Sequence, residues 1–270
     1  MASTSPSSKG IAAIVGVGPN LGRSIARKFA HEGYTVAILA RDLGRLSRIA
    51  EEIAREEKSQ VFAIRIDCSD SRSIKEAFEA VLSVGFVEIL VYNAYHPAAM
   101  TPASFTDVRL DHFKNSIAVS AVGAFHCTQQ VLPGMMQRGR GTVFFTGCSA
   151  SLTGISGFSD LCCGKFALRA LSQCLAREMH PLGVHVAHIV IDGAIGSSPR
   201  FLVKCRGGGA SSSCQQRGTR SRSLSSSSTS ESFHGNLWMN PDVIAQTYWY
   251  LHNQDRSVWT HEMDLRPGAP

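Results

Sequence analysis

The sequence predicts a single α/β domain, built on one doubly wound parallel sheet with helices on both faces. Three observations predict it. Short apolar runs rich in Val and Ile alternate with amphipathic helical patterns along most of the chain. Strands that are apolar on both sides belong to a parallel sheet covered on both faces. A glycine-rich turn, Gly16-Val17-Gly18-Pro19-Asn20-Leu21-Gly22, stands between the first apolar run and the first helical pattern. Finally, 270 residues with 44% hydrophobic content suffice for one large core.

The elements follow in order. Ile11–Val15 reads as a short buried strand, and Asn20–Glu32 as a helix with Leu21, Ile25, Phe29 and Ala30 on its apolar face. Thr35–Ala40 is the second strand, and Leu43–Glu57 a charged helix. Val61–Ile66 is the third strand, followed by a helix around Ile74–Val84. Val87–Tyr92 is the fourth strand. A long helix around Leu110–Met136 leads to strand Thr142–Phe145, and a helix around Phe158–Met179 leads to strand Val184–Ile191. Pro241 suits the first turn of a helix through Ile244, Tyr248 and Leu251. Ser257–Asp264 alternates like a final strand. Right-handed crossovers then give a Rossmann-type, doubly wound order. Residues 203–235, rich in Ser, Arg and Gly, lack periodicity and read as a flexible insertion. Residues 1–9 read as a disordered N-terminus, so the folded body is 10–202 with 236–270.

Charge and cysteine usage narrow the function classes. The formal net charge is +6, from 27 basic and 21 acidic residues. Arg200, Lys204, Arg206, Arg217, Arg220 and Arg222 carry the whole excess, and no acid lies among them. The remaining body is formally neutral, so nucleic acid is not an expected partner of the domain. No apolar run reaches bilayer length, and residues 1–9 lack the apolar segment of a secretory signal. Cys127, Cys162, Cys163 and Cys174 fall in helical patterns and Cys148 follows a strand. They read as small buried thiols in a reducing compartment, and the expected location is cytoplasmic. With Cys162 and Cys163 adjacent and no CxxC, no metal site is expected.

The glycine-rich turn has the context a phosphate cradle requires. Glycines let the backbone approach a pyrophosphate, and the helix that follows presents unpaired N–H groups. The plain alternative is a tight strand-to-helix connection. At the end of the second strand, Ala40-Arg41-Asp42 supplies a base followed by an acid. Arg41 suits a 2′-phosphate and so NADP over NAD, although it also suits the solvated start of the next helix.

These landmarks together resemble the short-chain dehydrogenase/reductase superfamily over nearly the whole chain. Gly16 and Gly22 match the first and last glycines of its TGxxxGxG, with Val15 for the threonine and Asn20 for the middle glycine. Asp67 matches the acid that contacts adenine. Asn93-Ala94-Tyr95 matches its Asn-Ala-Gly, and Asp192-Gly193-Ala194-Ile195 stands at its Pro-Gly beside the nicotinamide. The resemblance therefore implies cofactor contacts by Gly16, Asn20, Leu21, Gly22, Arg41, Asp67, Asn93, Ala94, Lys165, Gly193 and Ile195. It also implies homodimers or homotetramers through the long helices near 110–136 and 158–179. Phe145–Gly154 and Pro241–Arg266 look like a branch labelled glucose/ribitol-dehydrogenase-like.

The family's catalytic asparagine, serine, tyrosine and lysine fare differently here. Ser120 stands for the asparagine, Cys148 for the serine with Ser149 beside it, and Leu161 for the tyrosine; only Lys165 matches. Residues four apart share a helix face, so an ammonium there acidifies a phenol that trades protons with a carbonyl. Leu161 has no proton to give. Tyr95, His96, Ser149, Ser159 and Asp160 are the substitutes the sequence offers, each with a plain packing or loop alternative. Two functions stand side by side: an NADP-preferring oxidoreductase on a carbonyl/alcohol substrate with an atypical or weakened relay, or an inactive dinucleotide-binding scaffold or sensor. A third concerns only Arg220-Ser221-Arg222-Ser223, which resembles RNA-binding arginine/serine repeats.

Overall fold

The computed structural model describes residues 9–96, 102–196 and 238–268. The expected N-terminal arm and serine/arginine insertion, with its RNA-binding reading, lie outside them, apart from Lys9. Strands β1 (Ile11–Val15), β2 (Thr35–Ala40), β3 (Val61–Arg65), β4 (Val87–Tyr92), β5 (Gly141–Cys148), β6 (Val184–Ile191) and β9 (Glu262–Leu265) form one sheet. Its order is β3-β2-β1-β4-β5-β6-β9, and every pairing is parallel. The direction of winding reverses between β1 and β4, and carboxyl ends of strands at such a switch point leave a crevice. A two-stranded parallel pair, β7 (Ala194–Ile195) with β8 (Trp238–Met239), lies just beyond β6.

Helices cover both faces. On one side α1 (Leu21–His31), α2 (Leu43–Glu57) and α7 (Pro241–His252) bury Ile25, Phe29, Ile49, Ile53, Ile244 and Tyr248 against the sheet. On the other, α3 (Ser71–Val84), α5 (Gly123–Arg138) and α6 (Ser159–Met179) bury Phe78, Val131, Met135, Leu168 and Ala176. Local chemistry sets the helix starts. Asp42 and Asp70 cap α2 and α3 by accepting from Arg45 N and Arg72 N, each at 3.0 Å. Asn240 caps α7 ahead of Pro241 by accepting from Asp242 N at 2.9 Å. The predicted long helix is one run in three parts: α4 (Leu110–Ile117), a π-helical stretch Ala118–Val122, and α5. Such π turns break regular i→i−4 pairing and are often found at functional sites.

Two expectations are corrected here. The last strand begins at Glu262, because Arg256–Val258 makes a 3₁₀ turn with Val258 exposed. Cys163 and Cys174 are exposed, whereas Cys127 and Cys162 are buried. All the α6 thiols lie on one amphipathic helix, and one residue of offset is enough to turn Cys163 outward while Cys162 turns inward. No helix among the described residues is long and apolar enough to cross a membrane.

Candidate active site

The carboxyl ends of β1, β4, β5 and β6 open into two neighbouring cavities. The larger, about 450 Å³, is lined by the glycine turn, by Thr146, Gly147 and Cys148 from β5, and by Leu161 and Lys165 from α6, with Gly193 and Ile195 at the far side. The smaller, about 280 Å³, is lined by Ala40, Arg41, Arg45, Asp67, Cys68 and Ala94 among others. Gly16, Gly18, Asn93 and Tyr95 belong to both. A continuous crevice with a glycine turn at its waist suits an extended dinucleotide.

The waist is built tightly. Gly16 has φ +86°, a conformation open chiefly to glycine. A β-carbon there would stand 2.4 Å from Ala94 N. Asn93 ties the turn to β4, donating from Nδ2 to Gly16 O at 2.9 Å, while its own N donates to Val15 O at 2.8 Å. The start of α1 then faces the crevice through Asn20, Leu21 and Gly22.

At the smaller end, Asp42 is committed to capping α2 and lies 3.7 Å from Arg45. The acid next to Arg41 is thereby turned to the helix, and Arg41 faces the cavity beside Asp67. Asp67 accepts from Ser69 N at 2.9 Å and Ser69 Oγ at 2.7 Å, and these bonds hold its carboxyl below the usual range.

At the larger end, Lys165 is buried and donates to Thr146 O at 2.9 Å. Burial holds its ammonium below the ordinary lysine range. α6 reaches this position because Gly164 lets it approach α4 closely: a β-carbon there would be 2.9 Å from Ser116 Oγ and 3.1 Å from Ser120 Cβ. Leu161 is on the same wall one turn earlier. Tyr95 leans over from the end of β4, its ring centroid 5.9 Å from Lys165 Nζ.

Every cofactor residue expected from the sequence lines one of the cavities. The catalytic candidates separate. Cys148, Tyr95 and Lys165 face the larger cavity. Ser120 does not line it; it is buried in the π-helical stretch against Gly164. Ser149 begins a 3₁₀ turn just past the cavity rim. His96 borders the smaller cavity, its ring 5.7 Å from that of His112. Asp160 is nearly buried beside a separate 160 Å³ hollow with His112 and Arg109. Thr146 and Gly147 were missed by the sequence reading, which ended β5 at Phe145 where the apolar run stops.

Comparison with known proteins agrees with this geometry. Residues 10–196 match the family model described as short chain dehydrogenase. The chain belongs to the short-chain dehydrogenase family. It is 28% identical over 178 residues to 3-dehydrosphinganine reductase of Danio rerio, covering 64% of this chain and 53% of that one. It is 26% identical to very-long-chain 3-oxoacyl-CoA reductase of Coccidioides immitis, covering 66% and 52% respectively. The chain thus spans about half the length of these curated relatives. A solved short-chain dehydrogenase from Rhodopseudomonas palustris superposes with TM-score 0.75 at 27% identity, covering 97% of this chain and all of that one. An alcohol dehydrogenase from Thermococcus sibiricus, solved with 5-hydroxy-NADP, reaches 0.75 at 23% identity, covering 96% of each chain, and shares the fold.

Proposed function

We propose that this chain transfers a hydride between NADP(H) and a carbonyl/alcohol substrate. The observation that carries the reading is a single crevice in which the glycine turn and the buried Lys165 meet at the sheet's switch point. The residues present fit a dinucleotide: a turn held against the end of β4 at Gly16, open space at Gly18, and a lysine bonded to β5 at the cavity wall. Gly16, Asn20, Leu21 and Gly22 would hold the pyrophosphate, Asp67 and Ala94 the adenosine end, and Asn93, Lys165, Gly193 and Ile195 the nicotinamide end. When bound, the cofactor supplies or accepts the hydride. The protein's share includes positioning the two reactants.

The walls and the relatives support a substrate class. Leu161, Ile191, Ile195 and Pro19 make much of the larger cavity apolar. One curated relative is named as a reductase of 3-dehydrosphinganine and the other of very-long-chain 3-oxoacyl-CoA. An oxo group on an aliphatic chain fits both. A second reading, a nucleotide-binding scaffold or sensor, is favoured by Leu161 alone, which places a hydrocarbon where the family has its phenol. The experiment that separates them is NADPH consumption by the purified full chain against a panel of aliphatic ketones and 3-oxoacyl thioesters. Consumption supports catalysis; tight NADPH binding with none anywhere in the panel supports the scaffold.

Arg41 carries the cofactor preference. Arg41→Ala is expected to weaken NADPH binding roughly tenfold to a hundredfold, the equivalent of about 1.5–3 kcal/mol for a charge-assisted hydrogen bond. NADH binding should change little. Fluorescence titration of both nucleotides checks this, and equal losses would count against a 2′-phosphate site.

Self-association is expected through α5 and α6. On α6, Leu168 is buried and Leu171 and Leu175 pack partly against the core, leaving Phe166 exposed. The apolar surface instead comes from Val122, Phe125 and Phe166, exposed on adjoining helices. A second copy of the chain is the occupant the family likeness implies. Sedimentation at micromolar concentration should show a dimer or tetramer, reduced by Phe125→Lys; a wild-type monomer would refute it.

A further inference from the structure

Reduction of a ketone adds a hydride to carbon and a proton to oxygen. The dinucleotide accounts for the first, so a protein group must give up the second. The larger cavity holds few side chains able to do so. Asn20 and Asn93 are amides, and Asn93 is spent on Gly16 O. Thr146 Oγ1 is bonded to Tyr248 O–H, 2.8 Å away, inside the opposite helical layer. Ser120 and Ser149 do not line the cavity. Among the described residues lining it, that leaves Tyr95, Cys148 and Lys165, and Lys165 already donates to the Thr146 carbonyl.

We propose that Tyr95 is the proton donor and acceptor of this chain, with Lys165 as its electrostatic partner. The proposal rests on the hydride-transfer reading above. Tyr95 lies at the junction of the two cavities, lines the larger one with Leu161, and its ring faces the Lys165 ammonium at 5.9 Å. A phenol and an ammonium thus meet in one cavity from two different elements, the end of β4 and the face of α6. A cation near the ring favours the phenolate left behind when the proton departs. The exchange balances. The carbonyl oxygen takes the Tyr95 hydroxyl proton as the carbon takes the hydride, the C=O double bond becomes a single bond, and the phenolate regains a proton from water. Tyr95 is 57% exposed, so solvent reaches it without a buried relay.

Two measurements on the full chain test this. First, Tyr95→Phe should lower kcat about 10²- to 10⁴-fold for a 3-oxoacyl thioester or aliphatic ketone, with NADPH affinity unchanged. Adding Leu161→Tyr to that variant should recover part of the loss, because a phenol one turn before Lys165 reaches the same cavity. Second, O-acetylation of Tyr95 by N-acetylimidazole, read by mass spectrometry in the nucleotide-free protein, should be slowed by a saturating aliphatic secondary alcohol. Tyr95→Phe turning over like wild type would overturn the proposal and leave the oxidoreductase reading intact. A loss confined to Cys148→Ser would assign the proton to the thiol and overturn it equally. Acetylation of Tyr95 unaffected by the alcohol would place the substrate elsewhere. A wild-type chain that binds NADPH but reduces nothing in the panel would overturn the Tyr95 proposal together with the hydride-transfer reading on which it rests.

Discussion

Replacing Gly16 by valine is expected to destabilise the protein by at least about 3 kcal/mol and to abolish NADPH binding. Two separate costs combine. The backbone at Gly16 has φ +86°, which a β-branched residue adopts only under strain. A β-carbon would also stand 2.4 Å from Ala94 N and 2.5 Å from Ala94 Cα, and backbone cannot swing aside as a side chain can. The turn would move away from β4, taking with it the bond from Asn93 Nδ2 to Gly16 O. Gly18 is the contrasting position. Nothing lies within 4 Å of a β-carbon there, and it lines both cavities. Gly18→Val should therefore keep the wild-type unfolding midpoint while losing NADPH affinity, since the new side chain fills ligand space alone. Chemical denaturation and fluorescence titration on both variants separate the effects. A Gly16→Val protein with wild-type stability or affinity would refute the cradle.

The second large effect is loss of stability in mild acid. His188 is fully buried within β6, and burial, outweighing the neighbouring Glu262 carboxylate, pushes its pKa down from 6.5 to about 4. His252 sits between Thr142 Oγ1 and Tyr34 O–H, each 2.8 Å away, and burial lowers it likewise to about 4. Burial also lowers His185, whose ring stacks on Trp259 at 4.9 Å. Between pH 6.5 and about 4 the unfolded chain binds protons on these histidines and the native chain does not. Stability then falls as pH falls through that window, is fully present above it, and loses nothing more from these groups below it. The pKa difference at His188 and at His252 corresponds to about 3 kcal/mol each. Glu262, held low chiefly by its 2.7 Å pairing with Arg169, adds a further loss when it protonates at lower pH. Urea unfolding at a series of pH values checks the slope. His188→Leu should remove a large part of it, and an unchanged slope in that variant would mean the protons are taken up elsewhere.

Much of this protein was determined by the sequence alone, wherever the deciding interactions are local. Helix α2 begins and ends where its periodicity and its Asp42 cap place it, at Leu43 and Glu57. The glycine turn, Arg41 and Asn93 lie where strand ends must lie in an alternating parallel fold, so the place of the crevice was legible in the sequence. The tertiary structure decided what depends on distant partners. β5 runs on to Cys148 because β6 pairs with it up to Cys148↔Ile191, although the apolar run ends at Phe145 and Gly147 disfavours a strand. That extension presents the Thr146 carbonyl to Lys165. The offset of Cys162 from Cys163 acquires meaning only once α6 has a buried face. The meeting of Tyr95 with Lys165 is of the same kind. Chain-local patterns report the face a residue presents, whereas a site joining a strand end to a helix face exists only after the sheet brings the two together.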